Sequence, residues 1–564
     1  MKRRMKQVGS VVLMLSLAVS AAACGNNADN TSSSSNNAGA TEQSGNNASQ
    51  TNNASKSNNE AQPPKLEKLT YWVPNHTAAA SQMTTYADMG MYKELERLTG
   101  VKVEFQEPPL DAAQAQEQFN LMIATNNLPD VIEASWGATS GSVVRYPGGA
   151  EKAIVDNKII RLNDLIDQYA PNLKSLLDSH PDWKKQISTD EGDIYAFPFL
   201  RDGDKTRVFF GPSIRQDWLT KLGLQMPTTI DEWYTVLKAF KEKDPNGNGK
   251  ADEIPFYIDK DLISNDAPFL GAWGVNYSFY QDGGTVKYGP IQPEYKGFLE
   301  TMNKWYKEGL LDKDFAAPNA KLFDNKMTTD LLGATVSYNG GGIGKYAGLM
   351  KDKDPNFDLE PAPYPVLKAG DTPIWGQKDF SYNGVGAAIT TSDKNPIETV
   401  KWLDYAYGAQ GNLLFNYGLD GVSYKMENGN AVLSPDLLNP PAGTSVQQAT
   451  AKYVRATWSA PFVLDENFQT QYLSLPQQKR ALDVWSKPTA ERKLPLVSPT
   501  QDESSKFASI MTDIQTYQDE MLLKFIMGVE SLDNFDEYVK KIQGMGIDDA
   551  IKIEQDALER FNKR

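Results

Sequence analysis

Ten residues carry the most specific chemistry in this chain: Asp244-Pro245-Asn246-Gly247-Asn248-Gly249-Lys250-Ala251-Asp252-Glu253. Side-chain oxygens stand at loop positions 1, 3, 5 and 9, with glycine at position 6. Alternate residues of such a loop turn their oxygens inward, the glycine permits the sharp bend, and position 7 offers a carbonyl. The pattern predicts a Ca2+ site made by Asp244, Asn246, Asn248, the Lys250 carbonyl, Asp252 and Glu253. An EF-hand would close with Glu at position 12, where this chain has Pro255. Glu253, at position 10, is the replacement. Three carboxylates in the set suit Ca2+ better than Mg2+, whose octahedral demand is stricter. The competing reading is a plain Asn-Gly turn after a helix. Nothing catalytic lies in the loop, so the expected role of the ion is structural.

The catalytic inventory is thin. The chain has two histidines, His76 and His180, and one cysteine, Cys24. A serine triad would need one of those histidines, and no G-x-S-x-G elbow is present. No H-E-x-x-H or Cys/His zinc spacing occurs. Paired carboxylates remain available for glycosidic chemistry, because 72 acidic residues cannot be sorted by counting.

Cys24 belongs to a different kind of chemistry. Lys2, Arg3, Arg4 and Lys6 precede an apolar run from Val8 to Ala23, which ends at Ala21-Ala22-Ala23-Cys24-Gly25. A basic start, a short apolar centre and small residues at the cut make residues 1–23 a secretory signal. A signal ending on the sole cysteine resembles the lipobox of bacterial lipoproteins, which implies lipidation of Cys24 and an anchor on the outer face of the cell membrane. Ala21 stands where the commonest lipobox has Leu. The alternative is ordinary cleavage that leaves a free thiol. Residues 24–65 are rich in Asn, Ser, Ala, Gly and Thr and cannot bury enough surface to offset chain entropy. They read as a disordered tether spanning roughly 35 Å in root-mean-square terms.

The elements that must position any site lie in residues 66–564, roughly 500 residues and enough for two or three ordinary domains. The formal net charge is −15 with the four basic signal residues included. That balance excludes nucleic acid as a natural partner. Strand-like and helix-like segments alternate, which predicts an α/β fold. Strands are expected at 69–73, 101–105, 131–134, 207–210, 333–338 and 385–390. Helices are expected at 91–99, 116–125, from 214 and at 230–242, with Thr229 and Glu232 as a capping box. Asn395 and Pro396 open another, and the chain from about 476 is mostly helical. Trp136 follows the buried run Val131–Ala134, at the strand end where open α/β sheets bind ligands.

The loop 244–253 followed by Ile254-Pro255 resembles a segment of the extracellular solute-binding lipoproteins of carbohydrate ABC importers, within the branch that contains alginate-oligosaccharide binders. Other segments carry the same resemblance: Leu128-Pro129-Asp130-Val131, Gly192-Asp193-Ile194-Tyr195-Ala196-Phe197-Pro198, Asp217-Trp218-Leu219, Tyr306-Lys307-Glu308-Gly309-Leu310-Leu311-Asp312 and Gly421-Val422-Ser423-Tyr424. In those alginate binders a structural calcium takes ligands from the equivalent loop. The resemblance implies a periplasmic-binding-protein-like type II fold, with two α/β lobes joined by a multi-segment hinge and a ligand cleft between them. It implies lobe one at 66–198 and 380–460, and lobe two at 199–379 and 461–564. It implies a binding protein and not an enzyme, one that closes on an oligosaccharide and delivers it to permease subunits as a monomer on a Gram-positive surface.

Within such a cleft, rings stack on the flat face of a sugar and planar polar groups bond its hydroxyls. The candidates are Trp136, Tyr338 and Asn339, Arg201 after the first crossover, Arg215 after a strand, and Trp273, Trp375 and Trp458 in loop-like contexts. Core packing is the competing role for each Trp, and a surface ion pair for each Arg. Trp218, Trp233, Trp305 and Trp402 sit in amphipathic helices and read as core. Two other functions stay open on this scaffold: a polysaccharide-degrading enzyme, and a binder of peptides or another non-sugar solute.

Overall fold

The computed structural model describes residues 66–137, 144–264, 266–441, 444–455 and 459–564. The signal, Cys24, the tether and Trp458 lie outside the described residues. Two main sheets and two hairpins use fourteen strands: Lys68–Trp72 (β1), Lys102–Gln106 (β2), Val131–Ser135 (β3), Phe197–Arg201 (β4), Phe210–Arg215 (β5), Ile254–Tyr257 (β6), Phe279–Asp282 (β7), Thr285–Tyr288 (β8), Leu332–Tyr338 (β9), Leu359–Pro361 (β10), Tyr382–Ile389 (β11), Tyr424–Glu427 (β12), Asn430–Leu433 (β13) and Val463–Leu464 (β14).

The first sheet runs β14-β4-β11-β3-β1-β2 and the second β10-β5-β9-β6. In the first, β1 pairs in parallel with β2 and β3, while β11 runs antiparallel to both β3 and β4. The carboxyl ends of β1, β2, β3, β4 and β14 therefore share one edge with the amino end of β11. In the second, β6 and β9 are parallel and β5 is antiparallel to β9 and β10. The carboxyl ends of β6, β9 and β10 share an edge with the amino end of β5. Helices pack on each sheet, one core cluster lying wholly on the second and the larger one built mainly on the first and reaching β6, β9 and β10, so the molecule has two α/β lobes.

Local chemistry accounts for the elements. β3 is buried along its whole length, as its apolar run requires. Its one charge, Glu133, is neutralised inside the core. Arg455 Nη2 donates to it at 2.7 Å, and the Tyr71 hydroxyl donates at 2.9 Å. The capping box of Thr229 and Glu232 starts the helix Ile230–Glu242 as expected. Asn395 precedes the helix Pro396–Asp404 but makes no side-chain cap. Trp218, Trp233, Trp305 and Trp402 are all core residues.

One strand departs from the sequence expectation. Of the segment 207–210 only Phe210 is strand, and the helix expected from 214 begins at Gln216. Between them β5 spans Phe210–Arg215 and includes Gly211-Pro212. Proline normally marks an edge or a break, yet β5 lies between β10 and β9. Pro212 has no N–H to give, but its carbonyl accepts from Ala362 N–H at 2.8 Å. Gly211 is required by packing: a Cβ there would meet the Trp485 indole at 2.5 Å.

The C-terminal helix Ile547–Lys563 packs on β8 and on the helix Gln501–Met527. It buries Glu554, whose Oε2 has no hydrogen-bond partner. Burial pushes this carboxyl up to about 7, with Arg560 opposing. The folded chain thus holds a proton that the unfolded chain releases near pH 4.5. Stability falls as pH rises through that window, and the full penalty is present above pH 7. Glu554→Gln is expected to leave stability unchanged at pH 4.5 and to raise it by on the order of 3 kcal/mol above pH 8. Urea denaturation across that range reads the difference, and a parallel offset at every pH would contradict it.

Candidate functional site

The two carboxyl edges face each other because the chain joins them directly. One segment leaves the end of β4 at Arg201 and enters β5 at Phe210. A second leaves the end of β10 at Pro361 and enters β11 at Tyr382. These segments run side by side: Asp379 N–H donates to the Arg207 carbonyl at 2.9 Å, and Arg201 N–H to the Ser381 carbonyl at 2.9 Å. Gln377 stitches them further, accepting from Phe209 N–H at 2.6 Å and donating to the Arg207 carbonyl at 3.0 Å. A third passage follows β14, between the helices Glu466–Tyr472 and Pro476–Trp485; the latter packs on β10.

The floor of the cleft is a chain of charges in which Arg201 is buried and its partners are half-buried. Arg201 pairs with Asp379 and lies over the Phe199 and Phe209 rings at 5.3 and 5.5 Å. Lys493 pairs with Asp266 at 2.9 Å and approaches Asp379 at 4.0 Å. Burial pulls the Lys493 ammonium down, but Asp266 and Asp379 outweigh it and hold the group above its ordinary value. Burial pushes the Asp266 carboxyl up, with Lys493 opposing.

The first wall is the edge of the first sheet. Trp136 follows β3, stacks on Tyr146 with centroids 6.2 Å apart, and donates its indole N–H to the Gly386 carbonyl at 2.9 Å. Gln186 accepts from Tyr382 N–H at 3.0 Å, and Tyr382 packs on Tyr195. Trp136, Glu151, Gln186 and Tyr195 line a cavity of about 40 Å³, closed from the other side by Leu496, Ser498 and Arg564. That is room for a few water molecules and not for a sugar ring.

The second wall is the edge of the second sheet. Tyr338, at the end of β9, leaves its ring 45% exposed and stacks on Phe209 at 6.2 Å with planes 6° apart. Asn339 is buried, donates through Nδ2 to the Gln478 carbonyl at 3.0 Å, and leaves Oδ1 without a partner. Burial raises the Tyr338 hydroxyl pKa, and the charges of Asp259, two residues past β6, and of Asp266 add to it.

Across the cavity a second contact joins the walls. Asp190, in the segment before β4, accepts from Arg560 Nε at 2.7 Å and from Arg564 Nη2 at 2.6 Å. Arg564 also donates to the Ser188 carbonyl at 2.6 Å.

Of the residues expected to line a cleft, Trp136, Arg201, Tyr338 and Asn339 are brought to these edges. Arg215 is not. It ends β5, whose carboxyl end is at the opposite edge of its sheet. There its guanidinium is committed to Asp217, Asp330 and, at 3.6 Å, Asp354, between the Trp218 and Phe357 rings. Trp375 is 2% exposed and packs edge-on against Tyr280, so it is core. Trp273 is half-buried against Phe298. Asp379, Lys493, Asp266 and Asp190 escaped sequence reading, since only long-range pairing marks them.

The loop 244–253 is tightly wound. Asp244 accepts from the N–H groups of Asn248 and Gly249, and Asn248 Oδ1 accepts from Lys250 N–H. Asn246 and Asn248 turn their amide nitrogens toward Asp252. Both Glu253 carboxylate oxygens are buried with no full hydrogen bond. Burial pushes this carboxyl up, and the Asp244 and Asp252 charges add to the effect. Among the described residues no group of three or more His, Cys, Asp or Glu side chains stands ready to hold a metal. The donor chemistry nevertheless fits a cation: rotating the two amides presents oxygens where nitrogens now point, and the orphaned Glu253 carboxylate lacks a positive partner.

The sequence profile of the family described as bacterial extracellular solute-binding protein matches residues 79–413. The chain is 28% identical over 496 residues to the fructooligosaccharide ABC transporter substrate-binding protein FusA of Streptococcus pneumoniae serotype 4 (strain ATCC BAA-334 / TIGR4), covering 83% of this chain and 86% of that one. It is 25% identical over 486 residues to the polygalacturonan/rhamnogalacturonan-binding protein YtcQ of Bacillus subtilis (strain 168), covering 83% and 88%. Among solved structures it is similar to the alginate-binding protein AlgQ2 without calcium ion, with a TM-score of 0.69 and 29% identity over 88% of this chain and 99% of that one.

The Asp190 contact has a direct test. Asp190→Asn leaves the almost wholly buried Arg564 without its carboxylate, while Arg560 keeps Glu503 at 3.4 Å, and should weaken the contact between the walls by on the order of 3 kcal/mol. Small-angle scattering of the unliganded protein should then show a larger radius of gyration than wild type. An identical scattering curve would contradict this role.

Proposed function

The chain belongs to the bacterial extracellular solute-binding proteins, and on that premise we propose that it captures an oligosaccharide between its lobes and hands it to an ABC importer. The observation that carries this is the pairing of two strand edges, joined by stitched crossovers, with an exposed Tyr338 ring on one and, on the other, a cavity wall backed by the buried Trp136. Substrate enters while the lobes are apart, because the cavity in the arrangement described here is too small for a ring. Closure by bending at 202–209, 362–381 and 473–475 buries it. Lobe one comprises the elements around β1–β4, β11 and β14, and lobe two those around β5–β10 and the last helices. No chemistry on the ligand is needed. Cys24 carries the lipid, and the tether lets the lobes turn and dock on the permease.

Isothermal titration against linear oligosaccharides of two to five sugars should show saturable one-to-one binding with no released product. Peptide-only binding, or sustained hydrolysis of a glycan, would select one of the other readings.

We place a structural Ca2+ in the loop 244–253, held by Asp244, Asn246, Asn248, the Lys250 carbonyl, Asp252 and Glu253. When bound, the cation supplies the positive charge that the buried Glu253 lacks. Calcium at 100 times its Kd should stabilise the protein by about 2.7 kcal/mol. A thermal-shift series should show Ca2+ raising Tm over chelated protein, Mg2+ doing so far less, and Glu253→Gln removing the response. Equal Tm values with Ca2+ and with chelator would overturn the site.

A further inference from the structure

We infer that the cleft continues into an outer compartment at the carboxyl ends of β1 and β2, which holds the far end of a longer oligosaccharide and makes the protein selective for chain length, an inference that rests on the oligosaccharide reading above. Pivot and outer compartment lie at opposite ends of one sheet edge. The crossovers leave β4 and enter β11, and from β11 the sheet runs on through β3 and β1 to β2. Three strand spacings separate β11 from β2, roughly 14 Å. The segments that follow β1 and β2, at 75–84 and 107–110, flank an open concavity of about 580 Å³. That volume falls in the range of about 300–1,000 Å³ usual for small-molecule sites. Every residue lining it belongs to lobe one, so it stays open in the arrangement in which the inner cavity admits only water.

Its walls are fixed before a ligand arrives. His76 N–H donates to the Tyr86 hydroxyl at 3.0 Å, and Tyr86 N–H donates to Glu107 Oε1 at 2.8 Å. The turn after β1, the buried Tyr86 and the exit of β2 therefore form one unit, and walls set in advance cost little on binding. Glu107 makes no ion pair among the described residues, and its second oxygen is left to accept from a hydroxyl. Gln82 gives one amide hydrogen to Ser81 Oγ and keeps its carbonyl. Asn75 Oδ1 is buried with no partner, and turning that amide toward a sugar hydroxyl relieves the cost of an unmade hydrogen bond. Met83, Pro109 and the exposed Leu110 add an apolar surface for a ring face. Arg145 stands between the two compartments. Its backbone bridges Ser135 on the flank away from β11, where the pairing of β1 has ended. Its exposed side chain makes no ion pair among the described residues, and a guanidinium there donates to hydroxyl or carboxylate alike, so the selection is for length and not for charge. A disaccharide seated beside Tyr338, near the crossovers, stops short of β2. A longer chain engages both ends, and its second contact is made intramolecularly.

The test is titration of the full-length protein, in detergent, with the tri- and hexasaccharides of linear fructo-, xylo-, manno- and galacturono-oligomer series. In at least one series the hexasaccharide should bind tenfold or more tighter than the trisaccharide. Gln82→Ala combined with Leu110→Ala removes contacts of the outer compartment. It should bring the hexasaccharide to within threefold of the wild-type trisaccharide and leave the trisaccharide unchanged. Thr84→Trp, at an exposed position of the same wall, should do the same by filling the space. Equal affinity for both lengths in every series that binds, or variants that weaken both lengths alike, overturn the outer compartment while leaving the oligosaccharide reading intact. Silence from every glycan overturns that reading and the compartment with it.

Discussion

Everything functional in this molecule hangs on the charge chain Arg201, Asp379, Lys493, Asp266 at the place where the polypeptide passes between its two sheets. Each member comes from a different stretch of chain: the end of β4, the second crossover, the segment before the helix Gln501–Met527, and the loop after β6. Ion pairs of this kind add little net stability, but losing the carboxylate of the buried Arg201 leaves its charge stranded at a cost of about 3–5 kcal/mol. The chain therefore fixes which segments meet. Flanking rings Phe199 and Phe209 and the Gln377 stitches do the rest.

That fixed point determines what can move. Hydrogen bonds between the two crossovers hold them as a ribbon, so the sheets keep their facing edges while the far side opens. A second contact is made by Asp190 with Arg560 and Arg564 at the C-terminal end, through few residues. The pivot joins segments that the chain itself connects, whereas the Asp190 contact joins the lobes through side chains alone. This asymmetry is what a hinge needs. It also fixes the chemistry of the interior, since the cations that organise the pivot are spent on it.

Much of this was readable in the residues, and the failures have physical causes. Trp136 was legible because a buried apolar run identifies its strand, and the residue after such a strand lies at a carboxyl edge. Tyr338 was legible for the same reason. Arg215 fulfils the same local criterion, yet β5 runs antiparallel to its neighbours, and strand direction is a property of pairing that no short window contains. β5 itself was misplaced because Gly211-Pro212 looks like a break, while the Trp485 indole and the Ala362 N–H make that dipeptide a requirement. Asp190 and Lys493 find their partners hundreds of residues away, so nothing local marks them. The loop 244–253 was the clearest signal because its spacing is self-contained.

The central claim, that ligand capture is closure about the charged pivot, is tested most directly by a distance across the rim. Spin labels on Val155→Cys and Gln501→Cys, in a chain with Cys24→Ser, report it by pulsed electron resonance. The account predicts a broad distribution without ligand that collapses to a single short distance when a bound oligosaccharide saturates the site. An unchanged distribution at full occupancy would contradict it.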